Sequence, residues 1–261
     1  LALAVREALS KFEPKGKLQQ FQIKWQAPLE DSGETTKFIA KGEFSELEIR
    51  AQADRTALTR LLAPSLNATS TASQPSQVQT APSLGVPGFS KITGRFEATE
   101  TGGLLHVRSE KASLTFPGLF EEPTLPFDKL AFDARWKVNP KEVEIKVTNA
   151  QLISPELTAN VAAEYRTVGK GPGFLELDAK LSKAQVNSIH RFLPLQIAEP
   201  ARHWVRDALM SGSVSEGTVR LKGDLHDFPF SADPKGITRG EFRITAKIKD
   251  ATLNCVPSDL P

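Results

Sequence analysis

The feature that most constrains this chain is an alternation of apolar and polar side chains that recurs along most of its length. In "LAFDARWKV", residues 130–138, apolar side chains occupy every second position from Leu130 to Val138, and the positions between them are mostly charged. Because successive side chains of a β-strand point to opposite faces, this segment predicts a strand with one apolar and one polar face. The apolar face must cover a packed core or contact an apolar ligand, and periodicity alone does not choose between the two.

The same alternation appears in seven further segments, which are separated by Gly, Pro, Asn and Asp turn residues. These segments read "FQIKW", "KFIAKGEF", "EVEIKVT", "ELTANVAAEYR", "FLELDAKLS", "GTVRLKGDL" and "GEFRITAKIKD". A buried parallel sheet would show continuous apolar runs, whereas this pattern is typical of an antiparallel sheet with one solvated face. The sequence therefore predicts an all-β fold with a few short helices, built on a long antiparallel sheet.

Helical signals are few. "LALAVREALSKF" at the start is typical of a helix end, and "KAQVNSIHRFL" of a short helical turn. The clearest helix is predicted at 200–210, where Pro200 suits the first turn and Gly212 the stop. Its apolar stripe is formed by Ala201, Trp204, Val205, Ala208 and Leu209.

Residues 63–83 differ from the rest of the chain in composition. They contain no charged residue and few side chains that could pack. We predict a disordered polar linker or inserted loop between two β segments, 1–62 and 84–261. The loop could separate two halves of the chain, or it could lengthen one surface loop of a continuous sheet.

Composition excludes several classes of function. The 261 residues carry a formal net charge of +2, which gives no argument for binding nucleic acid. Cys255 is the only cysteine, so no intramolecular disulfide can form. No apolar run is long enough to span a bilayer. The chain starts without an initiator methionine, so we expect it to be a piece of a longer protein.

Catalytic, metal and cofactor signatures were sought without success. The sequence has no G-x-S-x-G elbow, no H-E-x-x-H and no Walker loop. "GKGPGF", residues 169–174, precedes a strand where a phosphate-binding loop needs a helix, so we interpret it as a hairpin turn. The acidic and histidine side chains around His203 and His226 are not spaced to bring three metal ligands together. The sequence therefore predicts neither an enzyme nor a metal or cofactor site.

Three segments in a fixed order carry a family resemblance. They are "LGVPGFSKITGRFEATETGGLLHVRSEKASLTFPGLFEEPTLPFDKLAFDARW" (84–136), "RFLPLQIAEPARHWVRDALMSGSVSEGTVRLKGDLHDFPF" (191–230) and a final "GEFRITAKIKDATL" before a proline-containing end. Together they resemble the AsmA-like superfamily of Gram-negative envelope proteins, specifically its long YhdP-type members. The similarity covers 84–261 well and 10–62 more loosely, and the polar segment 63–83 departs from it.

The resemblance implies a location and a function. Such proteins are anchored in the inner membrane by one N-terminal helix, cross the periplasm toward the outer membrane, and curl their sheets into a long apolar groove. They are implicated in moving phospholipid outward, so phospholipid acyl chains are the expected ligand, without a cofactor. A non-enzymatic periplasmic scaffold or outer-membrane assembly factor, with the apolar face closed as an ordinary core, is the alternative.

On this interpretation, inward-facing strand residues line the groove. They are Phe21, Ile23, Trp25, Phe132, Trp136, Val143, Ile145, Val147, Val161, Tyr165, Leu175, Leu177, Leu181, Val219, Leu221, Leu225, Phe242, Ile244 and Ile248. The helix at 200–210 is expected to lie against the groove as a cap or partition through Trp204, Val205, Ala208 and Leu209.

Overall fold

Ten antiparallel strands form a single open sheet, and their order in the sheet follows the chain from β1 to β10. The computed structural model describes residues 10–26, 37–53, 84–167, 171–230 and 239–254. An all-β fold on an antiparallel sheet with few short helices is therefore confirmed.

The elements have the following bounds. The strands are β1 (Lys15–Gln26), β2 (Lys37–Ile49), β3 (Gly88–Thr99), β4 (Gly102–Thr115), β5 (Thr124–Asn139), β6 (Glu142–Ile153), β7 (Leu157–Arg166), β8 (Phe174–Gln185), β9 (Leu209–Asp224) and β10 (Gly240–Leu253). Between β8 and β9 lie a 3-10 helix (Val186–Phe192) and one α-helix, α1 (Glu199–Ala208).

The register places most apolar side chains of the ten strands on one face, because directly paired residues share a face. One row, the upper row, runs across the whole sheet through Ile23, Ala40, Ala98, Gly103, Trp136, Ile145, Tyr165, Leu175, Gly223 and Gly240. A second row contains Gly42, Phe96, Leu105, Ala134, Val147, Ala163, Leu177, Leu221 and Phe242. We call this side of the sheet the apolar face.

The opposite side is polar. The row between the two apolar rows consists of Gln22, Lys41, Glu97, Leu104, Arg135, Lys146, Glu164, Glu176, Lys222 and Glu241, in which only Leu104 is apolar. The two faces thus follow from the alternation in each strand together with a register that keeps the strands in phase.

Several strands contain a β-bulge whose extra residue has a positive φ. In β6, Asn149 has φ 53°, and Val147 and Ala150 on either side pair with Ala163 and Val161 of β7. The extra residue keeps both apolar neighbours on the apolar face. Bulges also bend a strand and increase its twist.

The lower part of the apolar face carries the main hydrophobic cluster. We call the end with the β3–β4, β5–β6 and β7–β8 hairpins the upper end, and the opposite end the lower end. Val107 is 0% exposed and Leu130 is 1% exposed, and Phe116, Phe120 and Phe192 pack against the cluster that contains them. A smaller cluster joins Ala184, Val186 and Val214.

Ion pairs fasten the segment between β8 and β9 to the loops at the lower end. Arg191 Nη2 lies 2.6 Å from Glu122 Oε2 in the β4–β5 loop, and its Nη1 pairs with Glu156 in the β6–β7 turn. Arg202 pairs with Glu121. We call these contacts the lower-end clamp, since they tie three connections together across the sheet.

The structure corrects the predicted helix at 200–210. It ends at Ala208, and Leu209 pairs with Leu253 of β10, so Leu209, Met210 and Gly212 belong to β9. Strand pairing thus overrides the helical periodicity at this end. The helical turn predicted in 183–193 is confirmed as the 3-10 helix.

The polar segment at 63–83 lies outside the described residues, as do residues 1–9 of the N-terminal helix prediction; residues 10–12 are helical. β2 and β3, which the polar segment connects, are direct neighbours in the sheet, and Gln52 and Val86 form a further bridge between them. The sheet is therefore continuous across this connection.

Candidate functional site

The apolar face is buried in the lower part of the central strands and exposed at Ile145 and along most of the edge strands β1 and β10. On the edge strand β1, Trp25 is 71% exposed, and on the central strand β6, Ile145 is 37% exposed. Ile23 and Ile244 are also exposed. The upper part of this face thus presents large apolar side chains that no described residue covers fully.

A cavity of about 460 Å³ lies on the apolar face of β1 to β5. Its lining residues are Pro14, Lys15, Gly16, Lys17, Leu18, Phe44, Leu47, Phe89, Ile92, Phe96, Ala98, Leu105, Val107, Leu114, Phe132 and Trp136. β1 and β5 are four strand positions apart, about 19 Å in a flat sheet. Side chains from both line one cavity, as expected on the concave side of a curved sheet. Among the described residues that line it, only Lys15 and Lys17 are charged, and they alternate with Gly16 and Leu18 on the edge strand.

Trp136 leans from β5 over β4. Gly103 is its partner in the register, and a Cβ atom at Gly103 would overlap the six-membered ring of the indole. Glycine is therefore required here, because the ring occupies the space of the missing side chain. The indole forms the β5 side of the cavity.

A second aromatic ring covers the other end of the upper row. Phe230, in the connection after β9, is buried against Gly223 and Gly240, where a Cβ atom on either glycine would overlap its ring. Phe228 packs edge-on against Phe230 and Phe242, with ring centroids 5.5 Å and 5.2 Å apart. The apolar face of β9 and β10 is thus covered near the upper end.

Ion pairs neutralise much of the polar face. Arg220 lies 2.6 Å from Asp178 and 3.3 Å from Glu241, and it also reaches Glu176. The hydrogen bond from Lys222 is the largest effect that lowers the pKa of Glu176 below its ordinary value. These side chains form ion pairs across three neighbouring strands, which is typical of a solvated sheet surface.

His106 and Arg108 surround one carboxylate on the same face. His106 Nδ1 lies 2.9 Å and Arg108 Nη2 3.1 Å from Asp133 Oδ1. The hydrogen bond with His106 is the largest effect that lowers the pKa of Asp133. Within the described residues, no group of three or more His, Cys, Asp or Glu side chains could hold a metal ion.

Comparison with known families decides the relationship. The YhdP protein family model matches residues 1–258. The chain belongs to the YhdP family. The resemblance inferred from the sequence is therefore confirmed. No curated protein and no solved structure matches this YhdP-family chain. In the part of the chain that the structure describes, no helix has the length and apolar character to cross a membrane.

The structure places the residues predicted to line a groove mainly on the apolar face of the YhdP-family sheet. Ile23, Trp136, Ile145, Tyr165 and Leu175 belong to the upper row, and the second row contains Val147, Leu177, Leu221 and Phe242.

The remaining predicted lining residues follow from neighbouring register pairs. Trp25 and Val143 lie above the upper row, where Trp25 pairs with Phe38 and Val143 with Val138. Phe21 adjoins Gly42 of the second row. The residues that lie below the second row are Phe132, Val161, Leu181, Val219, Ile244 and Ile248. Leu225 lies just beyond β9, where its N–H donates to Gly173 O.

The four residues predicted to form a cap are not brought together as one buried stripe. Ala208 is buried and Val205 half-buried, but Trp204 is 38% exposed. Leu209 lies in β9 and packs against the cluster around Val214.

Sequence reasoning missed most residues of the cavity and the covering ring of Phe230. The missed apolar lining residues are Leu18, Phe44, Leu47, Phe89, Ile92, Phe96, Ala98, Leu105, Val107 and Leu114. Bulges interrupt the alternation in these strands, for instance at Lys111 in β4, which has φ 55°. The sequence does carry a signal of the bulge in β4, because the alternation of apolar residues changes phase there. Leu105 and Val107 are odd-numbered, whereas Ala112 and Leu114 are even-numbered.

Proposed function

We propose that the apolar face of this chain carries the acyl chains of phospholipids. The observation that supports the proposal is the upper row, to which each of the ten strands contributes a glycine or an apolar or aromatic residue, and in which Ile23 and Ile145 are exposed. At about 4.8 Å per strand the row is about 43 Å long, which exceeds the hydrocarbon thickness of a bilayer, about 30 Å.

The energetics favour such a surface for lipid. At about 0.8 kcal/mol per methylene, exposing the roughly thirty methylenes of a two-chain lipid to water costs on the order of 20 kcal/mol. A continuous apolar row lowers this cost at every position along its length. It needs no fixed polar residues to recognise a head group, in agreement with the ion-paired, solvated character of the opposite face.

Family membership supports the cellular setting of the proposal. We infer that the chain is the periplasmic portion of an inner-membrane-anchored, non-enzymatic protein, and that its sheet continues an apolar groove that moves phospholipid toward the outer membrane. The concave cavity over β1 to β5 agrees with a groove of this kind.

Photo-crosslinking in Gram-negative cells tests the proposal. A crosslinking amino acid in the full-length protein at Phe132, Trp136, Ile145, Leu177 or Leu221 should capture acyl chains. The same probe at Asp133, Glu144 or Glu176 should not, because a shift of one residue reverses the face. Ile145 and Glu144 form the sharpest matched pair, and equal capture at both would contradict the proposal.

A scaffold with a closed β core is the second candidate, and the burial of Val107 and Leu130 favours it. Native mass spectrometry of the purified protein distinguishes the two candidates. Acyl species should remain bound to a lipid carrier, whereas a scaffold whose apolar face is covered by protein should show none.

A further inference from the structure

The two aromatic rings that cover glycines leave two uncovered stretches of the upper row, one on β1 to β3 and one on β6 to β8. Trp136 lies over Gly103 at β5 and β4, and Phe230 lies over Gly223 and Gly240 at β9 and β10. Between the two rings, three strands carry small or aliphatic side chains and one tyrosine on the same face. We call this surface the β6–β8 floor; it consists of Ile145, Tyr165, Leu175, Val147, Ala163 and Leu177.

The cavity stops at Trp136. Its lining residues extend from β1 to β5, and within the described residues none belongs to β6 or any later strand. Because the indole leans toward β4, its ring lies on the cavity side of β5, between the cavity and the β6–β8 floor.

The volume of the cavity matches one acyl chain. A methylene is close in size to a water molecule, which occupies about 30 Å³ in the liquid. A cavity of about 460 Å³ therefore accommodates on the order of fifteen methylenes. That corresponds to the length of one acyl chain.

The β6–β8 floor is suited to a second chain. Ile145 is partly exposed. The hydroxyl of Tyr165 donates a hydrogen bond to Pro172 O at 2.9 Å, so the aromatic ring is the part of Tyr165 that faces a ligand on the floor. Phe230 limits this floor on the β9 side.

We propose that Trp136 is a positioning residue that divides the apolar face into two acyl-chain stations, the cavity over β1 to β5 and the β6–β8 floor. This inference rests on the function proposed above. It assigns to the indole the separation of two single acyl chains.

Two alanines provide matched variants for the test. Ala98 lines the cavity, and Ala163 belongs to the β6–β8 floor; both are half-buried. The probe is palmitate that carries a diazirine, added to the 261-residue chain, photolysed, and mapped by peptide mass spectrometry. Ala98→Phe should remove label from β1–β5 peptides only, and Ala163→Phe from β6–β8 peptides only. Circular dichroism checks that each variant is folded, and Ala98→Leu replaces Ala98→Phe if the larger side chain prevents folding.

The same pair in a Trp136→Leu background tests the indole itself. Without the ring, the stations should merge, so that Ala98→Phe lowers the label on both sides, whereas Trp136→Phe should keep them separate. If Ala98→Phe lowers both labels equally while Trp136 is present, the division is wrong. If palmitate labels the polar face as strongly as the apolar face, the proposed lipid carriage fails instead.

Discussion

At the scale of single residues, the apolar face has two kinds of position that differ in their access to water. Ile145 near the upper end is 37% exposed, whereas Val107 is 0% exposed. We expect Ile145→Asp to cost only about 1 kcal/mol of folding stability, because the carboxylate can reach water. Val107→Asp should cost several kcal/mol, because a buried charge lacks a partner. Denaturant unfolding of both variants measures the difference.

The same two variants distinguish an effect on the binding of acyl chains from an effect on folding. Ile145→Asp should reduce the acyl chains retained by the purified protein while its unfolding remains cooperative. Ile145→Val is the control for the loss of volume. Equal destabilisation by Ile145→Asp and Val107→Asp would show that the upper row is as closed as the core below it.

Asp133 makes one contribution to stability dependent on pH. Its pKa is lowered in the folded protein, chiefly by the hydrogen bond with His106, so its ionised form is favoured by folding. This contribution is present above the pKa of the unfolded chain, about 3.9, and is lost as the pH falls through the lower folded value. Thermal unfolding of the unmodified chain and Asp133→Asn should therefore differ at neutral pH, and the difference should shrink below about pH 4. A constant difference down to pH 2 would contradict this assignment.

At the scale of elements, the lower-end clamp joins the segment between β8 and β9 to distant loops. Arg191 has 21% of its side chain exposed and binds two carboxylates, so Arg191→Met should lower the free energy of unfolding by about 1–3 kcal/mol. Arg206→Met is the matched control from α1. It removes only a contact with the adjacent Asp207 and should change stability by less than about 0.5 kcal/mol. Equal effects in urea unfolding would mean that the clamp adds nothing to stability.

The strands could be predicted from the sequence because each one carries its own alternation. The register that aligns Trp136 with Ile145 and Tyr165 follows once neighbouring strands are antiparallel and must share a face. The bulges could not be predicted, since Glu46, Lys91 and Lys111 are ordinary polar residues that adopt a positive φ only in the assembled sheet. The cavity is lined by side chains from five strands, and the packing of Phe230 depends on a contact between a connecting segment and two distant glycines.

At the scale of the whole molecule, a single sheet ten strands wide favours an elongated particle. A compact chain of 261 residues has a radius of gyration of about 18 Å. We expect small-angle X-ray scattering of the monomer to give a clearly larger value and a distance distribution with a long tail. A value near 18 Å would indicate that the sheet folds back on itself, as in a two-layer sandwich.

The order of the strands has a consequence for how length can be adjusted. Because each strand pairs only with the strands before and after it in the chain, the sheet is a one-dimensional array in which strand pairing is limited to nearest neighbours. Inserting one hairpin would add about 10 Å to the rows of the apolar face and leave every existing pair except one intact. In a protein built in this way, the number of hairpins sets the length of the apolar rows. The contacts between each pair of neighbouring strands set the stability of the sheet.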